Sequence, residues 1–148
     1  IEVVVHPQSI IHSAVQYIDG SVIAQLGVPD MKLPIQYALG FPERLDNNFK
    51  RFSFFDYPEL TFEKPNLESF KNLQLAFKSM EKGGNMPCIL NAANEIMVDA
   101  FLKDRIGFLS MSDVIENCME KITFVKNPKL EDYINTDRET RILANELL

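Results

Sequence analysis

Residues Ile10-Ile11-His12-Ser13-Ala14-Val15-Gln16-Tyr17 and Ser21-Val22-Ile23-Ala24-Gln25-Leu26 form two alternating runs separated at Asp19-Gly20. A period of two sends successive side chains to opposite faces of a strand. Val22, Ala24 and Leu26 therefore share one face, and Ser21, Ile23 and Gln25 the other. Asp-Gly between such runs is a strong hairpin signal, because both residues tolerate positive φ. Upstream, the β-branched run Val3-Val4-Val5 predicts a short buried strand, closed by His6-Pro7 because proline removes a ladder donor. The expectation is a three-strand piece of sheet with at least one edge in want of a partner. Because the chain enters this run directly at Ile1, with no initiator Met or signal-peptide pattern, it is expected to be cut from something longer.

Downstream, Gly27-Val28-Pro29-Asp30-Met31 reads as a loop, and Leu33 to Leu39 as a short helix with Pro34 near its first turn, stopping at Gly40 before Pro42. From Phe41 to about Asn66 the pattern fails: Asn47-Asn48, Pro58 and Pro65 interrupt it, and Phe49, Phe52, Phe54, Phe55, Tyr57 and Phe62 are scattered. So long an irregular stretch reads as an arm lying across another surface, with its aromatics as anchors. The remainder is helical. Phe70, Leu73, Ala76, Phe77 and Met80 recur at helix spacing up to Gly83-Gly84. Pro87 opens the most apolar helix, expected to be the central one. Ser110 or Ser112 can cap a third helix, with Val114, Ile115, Cys118, Met119 and Ile122 as its stripe. A last segment carries a possible capping box, Thr136-x-x-Glu139, before Ile142, Leu143 and Leu147. The fold class is α+β: a partial sheet over residues 1–40, a connecting arm over 41–66, and a small helical bundle over 67–148.

Composition narrows the function. The chain has 148 residues, 46% of them hydrophobic, and a net charge of −6. A folded chain of this size buries about 70% of the surface that its unfolded form exposes, so disorder is excluded. No apolar run approaches the ~20 residues of a membrane span. The acidic balance and the lack of a Lys/Arg-rich stretch speak against nucleic acid. Cys88 and Cys118 sit in apolar helical patterns and read as buried free thiols in a reducing compartment, taken to be the cytoplasm.

Few residues offer chemistry. There is no Gly-x-Ser-x-Gly elbow, and Gly83-Gly84 follows a helix rather than a strand, which argues against a phosphate loop. His6 and His12 are six apart across Pro7, and no metal-ligand spacing emerges. His12 stands in an otherwise apolar strand, either as a hydrogen-bonded core group or as one facing a cleft; on the residues alone the first reading is favoured. Asn91 and Glu95, four apart on an apolar helix, need partners and either bind a ligand or tie helices together, with the second favoured.

Taken together, Ile1 to Ser13 (IEVVVHPQSIIHS), Asp19 to Gly27 (DGSVIAQLG), Pro29 to Ile35 (PDMKLPI) and Leu90 to Glu95 (LNAANE) resemble the C-terminal portion of the 1-deoxy-D-xylulose 5-phosphate reductoisomerases. The resemblance runs the length of the chain. It implies an NADPH- and Mg²⁺- or Mn²⁺-dependent enzyme of non-mevalonate isoprenoid biosynthesis that makes 2-C-methyl-D-erythritol 4-phosphate. It also implies that the nucleotide loop, the acidic metal ligands and the lid belong to the missing N-terminal part of the same chain, so that no cofactor binds this piece tightly and it is inactive alone. His12 matches a histidine near the catalytic centre. Pro29 matches a pocket-wall residue toward the substrate, Met31 one toward the nicotinamide, and Ser9 is a weaker rim candidate. The strand Ser21 to Leu26 resembles one that pairs across a two-fold axis, which implies a homodimer. The competing reading is a stand-alone helical adaptor without catalysis.

Overall fold

The structure, a computed structural model, describes residues 1–148. The elements run β1 (Ile11–Gln16), β2 (Val22–Leu26), α1 (Lys32–Gly40), α2 (Lys71–Lys82), α3 (Met86–Leu102), α4 (Phe108–Lys121) and α5 (Leu130–Glu146), an α+β chain. They fall into two compact units, Ile1–Pro65 and Asn66–Leu148, with residues 41–65 counted in the first.

In the first unit β1 and β2 pair antiparallel, and the sheet has two strands instead of three. The expected buried strand at Val3–Val5 does not form. These three valines are exposed, and Val5 alone makes an isolated bridge, to Glu63. Three β-branched residues favour extended backbone, but a strand also needs a neighbour to complete its ladder. The hairpin turns at Asp19-Gly20 as expected. Gly20 N–H donates to the Tyr17 carbonyl and Tyr17 N–H to the Ser21 carbonyl, so the loop is Ile18-Asp19-Gly20, with only Gly20 at positive φ (86°). The Asp19 carboxylate accepts from the Ser21 N–H and hydroxyl, which holds its pKa below the ordinary carboxylate range.

Residues 41–65 contain no regular element but are stitched to their own unit. Thr61 N–H donates to Gln8 Oε1 while Gln8 Nε2 donates to Thr61 Oγ1, the His6 ring stacks on Phe62 at 4.7 Å, and Arg44 sits over the Tyr37 ring. Phe52 packs on Phe54 and Tyr57, whereas Phe55 is almost fully exposed.

The second unit is a bundle around α3. Met86, Ile89, Ala92, Ala93, Met97 and Ala100 of α3 meet Leu75, Met111, Val114, Ile115, Cys118 and Ala144 from the other helices, and all are buried. The stripe expected on α2 is displaced: Phe70, Phe77 and Met80 are exposed, and the buried residues are Leu75 and Ser79. The α4 stripe stands as read. Two caps do not. Gly107 occupies the N-cap of α4, while Ser112 lies inside the helix and back-bonds to the Leu109 carbonyl. Thr136 lies buried in mid-α5, and the start of that helix is held by the Asp132 carboxylate accepting the Lys129 N–H.

The turn between α2 and α3 is specified closely. Gly84 has φ 58°, and a Cβ there would collide with the Val125 carbonyl and the Phe124 ring. The adjoining Asn85 is fully buried. Its Nδ2 donates to the Thr123 carbonyl (2.9 Å) and to Thr136 Oγ1 (3.0 Å), and its Oδ1 accepts the Val125 N–H (2.9 Å). Glu95 accepts from Asn91 and from Arg141, so this pair ties α3 to α5. These contacts hold the exposed Glu95 carboxylate below its ordinary pKa, the Arg141 hydrogen bond first, and Arg141 above its own, the Asp137 hydrogen bond first. Both cysteines are free. Cys118 is buried and Cys88 half-buried, and burial pushes each thiol's pKa up.

Candidate active-site wall

Every residue singled out for chemistry in the first unit lies on one continuous stretch, Ser9 to Met31. Ser9 closes a turn by donating its N–H to the His6 carbonyl at 2.9 Å, and has φ 51°. Ile10 follows, fully buried, its carbonyl accepting the Gly27 N–H at 3.0 Å. This contact anchors the start of β1 to the end of β2.

His12 comes next, and it is not a core group. Its side chain is exposed, as is most of the hairpin. Ile11 pairs with Leu26 and Ser13 with Gln25, so two steps along β1 answer one step along β2 and His12 is the extra residue of a bulge. Its ring lies between two oxygens, Gln25 Oε1 at 3.1 Å from Nδ1 and the Ser9 carbonyl at 3.0 Å from Nε2. A neutral ring can donate to one of them, an imidazolium to both. The site thus brings His12 together with Ser9, through the backbone of Ser9 rather than its hydroxyl. It also adds Gln25, which no spacing rule marked, because a lone glutamine in an alternating strand carries no signal of its own.

Gly27 borders the same ring, since a Cβ placed there would lie 3.8 Å from His12 Cε1. Pro29 and Met31 follow in the loop into α1, both exposed, with Met31 at the N-cap of the helix. Asp30 between them accepts the Lys32 N–H at 2.9 Å, and that hydrogen bond holds its carboxyl below the usual range. A shallow cleft of about 190 Å³ adjoins this loop, lined by Leu26 to Val28, Asp30 and Leu33 on one stretch and by Phe49 to Phe52 on another. That volume is below the ~300 Å³ at which ligand pockets begin, so the cleft by itself does not enclose a ligand. No three His, Cys, Asp or Glu side chains converge. No helix is long and apolar enough to cross a membrane.

Comparison with known proteins gives this wall its context. Residues 26–143 match the family model described as the DXP reductoisomerase C-terminal domain. The chain is 59% identical over all 148 residues to the 1-deoxy-D-xylulose 5-phosphate reductoisomerase of Phocaeicola vulgatus, and 54% identical over 148 to that of Ruminiclostridium cellulolyticum. It spans 39% of the length of each. Among solved structures, the Zymomonas mobilis reductoisomerase in complex with NADPH superposes with a TM-score of 0.87 at 43% identity, over 99% of this chain and 39% of that one. A DOX-P reductoisomerase crystal structure in complex with NADPH, fosmidomycin and magnesium gives 0.88 at 33% identity, over 97% and 38%.

Proposed function

Since the chain belongs to the 1-deoxy-D-xylulose 5-phosphate reductoisomerase family, as its C-terminal part, we propose that it furnishes scaffold, pairing surface and one pocket wall of such an enzyme. The reaction is the rearrangement of 1-deoxy-D-xylulose 5-phosphate and its reduction by NADPH to 2-C-methyl-D-erythritol 4-phosphate, a cytoplasmic step of non-mevalonate isoprenoid biosynthesis. The observation that carries this reading is the 59% identity to the Phocaeicola enzyme over all 148 residues.

On this wall His12 orients or polarises groups about the substrate, held by the bulge and its two oxygen neighbours. Pro29 gives apolar surface to the substrate backbone and Met31 to the nicotinamide ring, and their exposure leaves both side chains free to be covered. Ser9 sits at the rim. The residues of this chain do not fit a metal ion by themselves, because no ligand trio converges; the ligands belong to the rest of the enzyme. There a Mg²⁺ or Mn²⁺ ion polarises carbonyl and hydroxyl oxygens as a Lewis acid.

The outer hairpin supports the pairing role. Val15, Tyr17, Val22 and Ile23 are each half or more exposed, and both strands have an open edge. Apolar side chains beside an open edge mark a surface to be covered, so a C₂ homodimer formed through β2 is expected. In sedimentation the full-length enzyme should run as a dimer, and a monodisperse monomer would count against pairing through this strand.

The activity test separates the parts. The 148-residue chain mixed with NADPH, Mg²⁺ and 1-deoxy-D-xylulose 5-phosphate should leave the 340 nm absorbance unchanged, while the full-length enzyme consumes the cofactor. Turnover by the chain alone would overturn the assignment of the reactive apparatus to the rest of the protein.

A further inference from the structure

Both exposed side chains of the loop into α1 stand at the centre of a closed turn, and Asp30 closes both turns. Its N–H donates to the Val28 carbonyl at 2.8 Å, which makes a three-residue turn centred on Pro29 and suits proline's fixed φ of about −65°. Its Oδ1 accepts the Lys32 N–H at 2.9 Å, which makes a second turn centred on Met31. Met31 takes helical dihedrals (φ −70°, ψ −13°) one residue before α1, and its carbonyl accepts the Ile35 N–H at 3.1 Å, the bond that opens the helix. Behind the loop, the buried Gly27 is tied to the Ile10 carbonyl, so both turns start from a fixed point. No residue of α1 is fully buried, and Pro34 has no N–H to give. Packing therefore does little to hold this helix start, and the Asp30 carboxylate is the side chain bonded to it.

We propose that Asp30 is the positioning residue of Met31. Its carboxylate fixes the backbone at Met31, and with it the direction in which the methionine leaves the loop, whereas the Pro29 turn is closed by a backbone N–H that alanine at this position would keep. The anchor is the bond to the Lys32 N–H rather than the ion pair. Lys32 Nζ lies 3.5 Å from Asp30 Oδ2 with both side chains exposed, and an exposed pair of this kind contributes little. The inference rests on the reading that turns Met31 toward the nicotinamide, but its first test does not.

The experiment uses full-length enzyme, with amide hydrogen exchange over residues 31–35 followed by mass spectrometry. Exchange should quicken in Asp30→Ala. It should stay near wild type in Asp30→Asn, which keeps the acceptor, and in Lys32→Gln, which keeps the N–H and removes the ammonium. Exchange unchanged in Asp30→Ala, or quickened as much in Asp30→Asn or Lys32→Gln, overturns the proposal. In turnover, Asp30→Ala should raise KM for NADPH by up to about fivefold, the population shift expected from losing one side-chain cap of ordinary strength. The kcat at saturating NADPH and the KM for the sugar phosphate should change little, and Asp30→Asn should restore the KM for NADPH. An equal rise in both KM values would mean a general loosening of the wall and counts against positioning of Met31. Added to Met31→Ala, Asp30→Ala should raise the KM for NADPH no further; an additive rise counts against the proposal. If Met31→Ala leaves that KM unchanged while exchange still follows Asp30, the reading of Met31 fails and the fixing of its backbone stands.

Discussion

Replacing His12 by alanine in the full-length enzyme is expected to lower kcat by about 100-fold, the lower bound of what a positioned proton-transfer or polarising side chain contributes, and to leave thermal stability nearly unchanged. Both halves of that expectation come from the same geometry. The ring is exposed and its two oxygen neighbours are reached by solvent, so water replaces much of what is lost from the fold, and surface substitutions of this kind stay within about 0.5 kcal/mol. Orientation is what water cannot replace. Steady-state kinetics with a melting curve on the same preparation decides the matter: a fall in stability with turnover preserved would make His12 a structural residue.

Replacing Asn85 by alanine has the opposite profile. The side chain is fully buried and bonds a carbonyl, a hydroxyl and an N–H from two separate segments, at Thr123, Thr136 and Val125. Alanine leaves the buried Thr136 hydroxyl and the part-buried Thr123 carbonyl and Val125 N–H short of a partner, at about 1–3 kcal/mol for an orphaned group. A loss of roughly 3 kcal/mol from the second unit is expected, or on the order of 15 °C in the melting temperature of a domain this small. Urea unfolding of wild type and variant measures it. A loss below about 1 kcal/mol would mean that the neighbouring groups find other partners, and that the α2–α3 turn is held instead by the close packing of Gly84 against Val125.

The contrast between the two residues bears on how much could be read from the chain. The hairpin, the short helix after it and the four helices of the bundle were all legible, because period-two and period-3.6 patterns are local. The apolar α3 was correctly placed at the centre, since a helix with little polar surface has nowhere else to go. Where apolar residues lie all round a helix, the pattern leaves the phase open. On α2 the stripe through Phe70, Phe77 and Met80 competes with one through Leu75, and packing on α3 chose the second. Caps failed for a related reason: a Ser or Thr near a helix start resembles a cap wherever it falls, and Ser112 and Thr136 lie inside their helices.

For the candidate site, His12, Pro29, Met31 and Ser9 could be named from the long shared words of the family, and their order along one stretch follows from the hairpin. Gln25 and the bulge could not, and neither could the role of Asn85. Amino-acid order alone settled the hairpin and the five helices, because backbone preference and apolar spacing act within a few residues, but not Val3–Val5, where a strand needs a neighbour. Only the folded chain decided which way His12 faces and why Asn85 must be asparagine. A bulge exists solely in the pairing of one strand with another, and a buried amide is satisfied by partners some forty to fifty residues away, so neither leaves a mark on its own neighbours in the chain.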